Sequence, residues 1–289
     1  MKKLILLSLI MAGMVLMAGF STPARSQGPA HDEKPTFYRL TPGTYVNGWP
    51  RFTMTYPKDW IEQPPLPMKM FRAAPSGPPP QPFFAVTLAP TPLPLDKLAT
   101  LPMLFAKAMN KDATLVSDKP SQLKDGTPAR EIEIQSPHSD GIPGAWLIVS
   151  TKKGDTMIQT SVVKTGKIGE DLKAILYPLQ YEPGRDEPLK VSPDVREFLD
   201  KFSSDMVSHD LTKVMAHYSD RYLESGGKKG EVERLVKEFI GSVTSFEIGI
   251  TDFEAAGDIV YLAGFMNRSG ERWQLRETSI IKENGEWKW

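Results

Sequence analysis

The sequence predicts an α+β protein of two domains, and three observations support this fold class. The chain has 289 residues, and a single core rarely grows beyond ~250 residues. Residues 181–193 are rich in proline, glycine and charge, which predicts a hinge. Strand-like alternation dominates before this hinge, whereas helical periodicity and then strands follow it. We therefore expect a first domain over residues 35–183, a linker over 184–192 and a second domain over 193–289.

Residues 1–27 have the pattern of an export signal. Lys2 and Lys3 precede an uncharged apolar run over residues 4–20, and small residues follow near a cleavage position. We expect cleavage near Gln27 and a periplasmic or secreted protein. If the signal stayed uncleaved, it would be the membrane contact of the chain, since its apolar run is only slightly shorter than a bilayer span.

The absence of cysteine and the balanced charge exclude several classes of site. The chain has 0 Cys, and Phe20 stands where a lipidated cysteine would be, so lipidation, disulfides, thiolate metal sites and cysteine nucleophiles are excluded. Without the signal, 32 basic residues face 35 acidic ones, whereas nucleic-acid-binding domains are usually basic on one face. No nucleic-acid partner is expected.

The first domain begins with strands separated by a proline-rich stretch. Residues 52–56 alternate large apolar and polar side chains, which predicts a strand that ends at Pro57. Residues 63–82 contain P-P-L-P and S-G-P-P-P-Q-P, which predict an exposed extended loop. Residues 83–89 are apolar on both faces and predict a central strand.

A helix and an antiparallel meander complete this domain. Apolar residues recur every three or four positions with Pro102 in the first turn, which predicts a helix carrying Leu98, Leu101, Phe105 and Met109. Two turns containing Asp and Gly separate predicted strands, and a short helix and an extended segment follow. The predicted ranges are 129–135, 145–150 and 156–163 for the strands, 170–176 for the helix and 179–181 for the extended segment.

Three motifs of this domain resemble the PsbP/Mog1-like family. They are F-T-M-T-Y-P-K-D-W, the D-G turn before E-I-E-I, and D-L-K-A-I-L-Y-P-L-Q-Y. The resemblance implies an antiparallel α-β-α sandwich. It also implies a scaffold or binding module, because the family is not defined by catalytic residues.

The second domain begins with helices. Ser192 and Pro193 predict a helix start, and one face of the helix carries Val195, Phe198, Leu199, Phe202 and Met206. Asp210 is a candidate cap for a second helix over residues 211–218. After the Gly226-Gly227 loop, a third helix has a stripe of Val232, Leu235, Val236 and Phe239.

The period then changes from helix to strand. Residues 246–250 alternate, residues 259–266 are apolar, and a long third strand is expected over 272–281 before a last short strand. Helices followed by an antiparallel meander indicate a curved sheet packed against helices.

This domain resembles the NTF2-like (SnoaL-like) superfamily. The motifs are V-R-E-F-L-D-K-F, H-D-L-T-K-V-M-A-H-Y-S-D-R-Y, R-W-Q-L-R-E-T-S-I-I-K and N-G-E-W-K-W. The resemblance implies a cone-shaped α+β fold that often encloses a pocket and often dimerises through its sheet. It implies no particular activity, because many functions occur on this fold.

We predict no catalytic residue, metal site or cofactor. An enzyme on this cone requires a placed acid or base. The candidates are Asp210, His217, Tyr218, Tyr222 and Asp252. A helical wheel places His217 on a solvated stripe with Lys213 and Arg221, while Asp210 is explained as a cap and Asp252 as a strand end. The histidines also lack metal-ligand spacing.

Aromatic residues of the cone are the candidate ligand contacts. We expect Tyr222, Tyr261, Phe265, Trp273 and Arg276 to line a binding site. Strand parity puts Tyr261 and Phe265 on one face, and puts Trp273 and Arg276 on opposite faces unless a bulge intervenes. The alternative is that these aromatics belong to the core or to a dimer surface.

These expectations favour an exported, non-catalytic binding or assembly accessory protein of the bacterial cell envelope. Its partner would be a protein or a small apolar ligand, and it would require no cofactor. One alternative is a small-molecule isomerase or hydrolase that uses the cone. Another is a structural protein that forms a homodimer through the second domain.

Overall fold

The computed structural model describes residues 43–63, 69–77, 81–137, 143–182, 186–224, 227–275 and 279–289. The protein is mixed helix and strand, and its long strand pairs are antiparallel. The chain divides into two compact units. The described part of the first unit comprises residues 43–45 and 54–180, and the second unit comprises Val46–Thr53 together with Tyr181–Trp289. The predicted signal, residues 1–27, lies outside the described residues.

The described residues from Gly43 to Tyr181 form ten strands, two helices and a 3₁₀ turn at Leu95–Lys97. The strands are β1 (Thr44–Asn47), β2 (Phe52–Thr55), β3 (Trp60–Glu62), β4 (Lys69–Pro75), β5 (Phe83–Pro90), β6 (Thr114–Gln122), β7 (Pro128–Pro137), β8 (Pro143–Lys153), β9 (Thr156–Thr165) and β10 (Gln180–Tyr181). The helices are α1 (Thr100–Met109) and α2 (Glu170–Ala174). A seven-stranded sheet has the order β3-β4-β5-β9-β8-β7-β6, and a three-stranded sheet has the order β1-β2-β10.

The sequence predicts four of the seven strands of this sheet. The expected strand at 83–89 is confirmed as β5, between β4 and β9, and the expected strands at 129–135, 145–150 and 156–163 are confirmed as β7, β8 and β9. The expected loop at 63–82 is wrong over β4, because the segment between the proline tracts is itself apolar and buries Phe71 and Ala73. Strand β6 was not predicted.

Helix α1 packs on one face of β7 and β8. It starts at Thr100, so Pro102 lies in its first turn as expected. Small residues let the helix approach the sheet closely. The buried cluster contains Ala99, Ala106, Ala113, Ile132, Ile134 and Ile148.

In the C-terminal part, the described residues form three helices, a 3₁₀ turn at Ile240–Ser242 and seven strands. The helices are α3 (Pro193–Val207), α4 (Leu211–Ala216) and α5 (Lys229–Phe239). The strands are β11 (Leu223–Glu224), β12 (Gly227–Lys228), β13 (Phe246–Ala256), β14 (Ile259–Arg268), β15 (Glu271–Gln274), β16 (Ser279–Glu283) and β17 (Glu286–Lys288). The sheet order is β13-β14-β16-β17 with β15 also paired to β14, while β11 and β12 pair separately.

Two expectations for this unit require correction. The single strand expected at 272–281 is instead β15 and β16, which both pair with β14, while residues 276–278 lie outside the described residues. Asp252 lies inside β13 at a register shift rather than at a strand end. The expected cap is confirmed, because the Asp210 carboxylate accepts a hydrogen bond from the Lys213 N–H at 3.1 Å.

Candidate functional site

The space between α3 and the sheet of the second unit is filled by side chains. Phe198 and Phe202 project from α3, and the Trp289 ring lies 5.3 Å and 5.7 Å from their ring centroids. Phe202 also meets Phe246 of β13 at 5.8 Å. The same buried cluster includes Leu199, Met206, Ile248, Ile250, Val260, Leu262, Leu275 and Ile280. Aromatic rings therefore occupy the interior that a cone-shaped pocket would use.

His217 is buried inside this cluster, so the expected solvated stripe is wrong. Helix α4 ends at Ala216, and the wheel that placed His217 beside Arg221 does not extend past that residue. The His217 Nε2 lies 2.7 Å from the Asp205 Oδ2, and only 9% and 16% of the two side chains are exposed. The His217–Asp205 pair connects the end of α4 to α3. The Phe198 and Phe202 rings lie edge-on to the imidazole, so this connection lies within the core.

The predicted ligand contacts do not share one site. Register pairs Trp273 with Met266, which packs against the core, so Trp273 faces the helices. Tyr261 and Phe265 lie on the opposite face of β14 by strand parity. Tyr222 packs against Tyr218 at 5.1 Å, and Arg276 is outside the described residues.

Phe265 is covered by a residue far away in the sequence. Trp49, from the 46–53 segment of the same unit, lies 5.1 Å from the Phe265 ring, and the Arg272 guanidinium lies 4.3 Å from it. The ring rests over Gly249, where an added Cβ would lie 2.4 Å from the Phe265 Cζ. This face of the sheet is therefore occupied by the protein itself around Phe265.

Arg51, from the same segment, is held by three carboxylates. Its Nε lies 3.2 Å from the Glu182 Oε2, and its Nη1 lies 3.3 Å from the Asp252 Oδ2. Its backbone N–H donates to the Asp186 Oδ1 at 2.7 Å. The ion pair explains why Asp252 occurs in the middle of β13, a role that sequence spacing could not reveal across 201 residues.

The first unit contains a buried charged network on β7. The Glu131 side chain is 6% exposed and lies 2.9 Å from the Lys119 Nζ and 3.3 Å from the Lys173 Nζ. The Tyr177 O–H donates to the same carboxylate. Burial, then the hydrogen bond to Glu131, raise the pKa of Tyr177 to about 12. Although burial acts in the opposite direction, the hydrogen bonds from Tyr177 and the lysines lower the pKa of Glu131. The network joins β6, β7, α2 and the chain after α2.

The first unit also exposes apolar side chains between α1 and β6. Leu104 and Met109 of α1 are 40% and 58% exposed, and Leu115 and Val116 of β6 are 45% and 49% exposed. We call these four side chains the 104–116 surface. They are four of the eight large hydrophobic side chains that are exposed among the described residues. This surface is not evident from the sequence, because the periodicity predicts Met109 as part of a buried stripe and no pattern predicts β6.

Among the described residues, no group of three or more His, Asp or Glu side chains is placed to hold a metal ion. Within the same ranges, no helix is long and apolar enough to cross a membrane.

No family model matches the chain, and no curated protein matches it. The chain is similar to solved structures of PsbP and Mog1. The PsbP (CyanoP) of Synechocystis sp. PCC 6803 is 16% identical with a TM-score of 0.39, covering 48% of this chain and 91% of that one. The Ran-binding protein Mog1p of Saccharomyces cerevisiae is 9% identical with a TM-score of 0.34, covering 45% of this chain and 89% of that one.

A Bacteroides thetaiotaomicron protein is 11% identical with a TM-score of 0.33, covering 86% of this chain and 89% of that one. Because these TM-scores are below 0.5, the similarities carry no argument about function. The NTF2-like character of residues 193–289 stays a prediction.

Proposed function

We propose that this chain is an exported, non-catalytic binding or assembly accessory protein of a bacterial cell envelope, and that it binds through its first unit. The 104–116 surface is the observation that carries the proposal. Large contiguous apolar patches are rare on soluble proteins and mark interaction sites. Here four such side chains fall within 13 consecutive positions on two neighbouring elements.

The packed interior of the second unit favours a binding role over catalysis in an enclosed pocket. Phe198, Phe202 and Trp289 pack against one another inside this unit, where an enclosed pocket would need open space. The His217 and Asp205 side chains are directed towards each other and are largely inaccessible. A general acid or base must lie within hydrogen-bond reach of its substrate, and the burial of both side chains disfavours such a contact.

Export is the second part of the proposal, and it rests on the signal pattern of residues 1–27. A small apolar ligand beside Tyr222 or Tyr261 and a homodimer through the second unit are the competing forms of the binding role. Each form predicts protection of a different part of the chain from solvent.

Hydrogen–deuterium exchange, with and without a detergent-solubilised envelope extract, distinguishes these forms. We expect slower exchange over residues 104–116 when the extract is present. The double variant Leu104→Ser and Leu115→Ser should lose this protection, whereas the matched change of Leu189→Ser and Val207→Ser, two exposed residues of the second unit, should retain it. Protection confined to the second unit would refute the proposal, as would a small molecule retained by the protein in native mass spectrometry.

A further inference from the structure

The side chains of the 104–116 surface are aliphatic. They are two leucines, a valine and a methionine, with no exposed tryptophan, tyrosine or arginine among residues 104–116. Hot spots of protein interfaces are enriched in Trp, Tyr and Arg, whereas Leu and Val are under-represented there. Leucine is among the side chains that interfacial membrane-binding segments bury in the apolar region of a lipid layer, where no directional contact is required.

Two lysines accompany these apolar side chains. Lys107 and Lys111 are exposed, and neither makes a salt bridge within the described part of the chain. Asp112 is the single acidic residue between positions 104 and 116. Lysine is depleted in protein interfaces, but its long stem lets the ammonium group reach a phosphate while neighbouring apolar groups enter the lipid. The local charge thus complements an anionic surface.

These groups extend from the middle of α1 through the following turn to the start of β6. In α1, Pro102 and Ala106 are buried, so at 100° per residue Leu104 faces solvent on the opposite side. After α1, the Ala113 N–H donates to the Asn110 carbonyl at 3.0 Å and returns the chain to β6 in a tight turn. A register shift follows directly, between Leu115 and Ser117, and leaves Val116 exposed.

We propose that the 104–116 surface docks on an anionic phospholipid surface, with its aliphatic side chains entering the lipid and Lys107 and Lys111 at the phosphates. This inference rests on the proposed function and names the partner of the same surface. It assigns the folded first unit a membrane contact that does not depend on the signal segment. The attraction is the usual sum of apolar burial and electrostatic attraction at a membrane interface.

Vesicle co-sedimentation of residues 27–289 tests the inference. The probes are vesicles of phosphatidylcholine alone and of phosphatidylcholine with phosphatidylglycerol. We expect binding to the anionic vesicles at least tenfold stronger than to the neutral ones, and weaker binding in high salt. Lys107→Ala with Lys111→Ala should weaken binding about 30-fold, because each lysine near an anionic surface contributes about a fivefold factor.

Three further double variants separate the apolar contribution from a general loss of hydrophobicity or charge. Leu104→Ser with Leu115→Ser should also abolish sedimentation, whereas Leu189→Ser with Val207→Ser should bind like the natural protein. Lys190→Ala with Lys237→Ala, which removes two exposed lysines of the second unit, should have at most a small effect. Equal loss in these controls would overturn the assignment of the surface.

Failure to bind anionic vesicles would overturn the inference, as would equal binding to both vesicle types. If vesicles fail but residues 104–116 are still protected by the envelope extract, a protein partner occupies the surface and the proposed function stands. If neither is observed, both fall. A dimer in sedimentation velocity that Leu104→Ser with Leu115→Ser dissociates would instead assign the surface to a second copy of this chain.

Discussion

Replacing Gly249 by alanine should destabilise the second unit. Gly249 of β13 is paired directly with Phe265 of β14, and the added methyl would lie 2.4 Å from the ring Cζ and 2.8 Å from both Cε atoms. A ring can rotate away from such a contact if it is free to move. Here it is 4% exposed and is bounded by the Trp49 ring at 5.1 Å and the Arg272 guanidinium at 4.3 Å. We expect that the ring cannot move without displacing these neighbours.

Two opposing effects set the magnitude. Alanine removes the entropic disadvantage of glycine in a strand, a gain of about 0.5–1 kcal/mol in the free energy of unfolding. Overpacking a well-packed site costs about 1–3 kcal/mol. The clash dominates, so we expect a net loss of about 1–2 kcal/mol and a fall in Tm of roughly 5–10 °C for a unit of this size.

Scanning calorimetry of the full chain is the assay, because two units can unfold in separate transitions. Gly230→Ala is the matched control: no atom lies within 4 Å of its added Cβ, so stability should be unchanged or slightly higher. Phe265→Leu should recover part of the loss in the Gly249→Ala background, giving a measurable coupling energy. A Gly249→Ala protein as stable as the natural one would show that Phe265 is not fixed in place.

Three further predictions follow from single contacts. Asp210→Ala removes the side-chain cap of α4 and should lower stability by about 1 kcal/mol in urea unfolding, while Asp210→Asn should restore most of it. The pKa of Glu131 is lowered by its partners in the folded chain, so this stabilisation is present above the ordinary carboxyl range and is lost as pH falls through the folded pKa. The urea midpoint should therefore fall less steeply below pH 4.5 in Glu131→Gln than in the natural protein. The pKa of Tyr177 is raised to about 12, so its stabilisation is full below the ordinary tyrosine pKa of about 10 and is lost as pH rises towards 12. The ultraviolet titration difference between the natural protein and Tyr177→Phe should show a midpoint near pH 12, and a midpoint near 10 would contradict the burial of Tyr177 and its hydrogen bond to Glu131.

Local periodicity predicted the elements whose stability comes from one clear apolar face. The alternation in β7 and the stripe of α3 are examples, since each pattern has the period of its own secondary structure. Strand β4 has no such pattern, because it is short and lies between proline tracts that favour an extended loop. Strand β6 has none because its side chains are mostly exposed and therefore do not alternate.

Candidate site residues were harder to interpret, because their environments depend on distant parts of the chain. Nothing near Phe265 in the sequence indicates that Trp49 covers it, and nothing near Asp252 indicates Arg51. The prediction for His217 is wrong for a local reason. His217 lies one residue past the end of α4, so a helical wheel extended to it gives the wrong face. The 104–116 surface could not be predicted from pattern alone, because exposure of apolar residues is a property of the packed structure.

The 46–53 segment makes the second unit discontinuous in the chain. Trp49 and Arg51 emerge early during synthesis, but their partners Phe265 and Asp252 follow only after the entire first unit. A chain exported from its N-terminus would therefore complete the first unit before the partners of this segment in the second unit are available. Contacts of such large sequence separation form slowly, so we expect the second unit to close last. A fragment starting after the hinge would leave the Phe265 ring uncovered and the Asp252 carboxylate without its arginine.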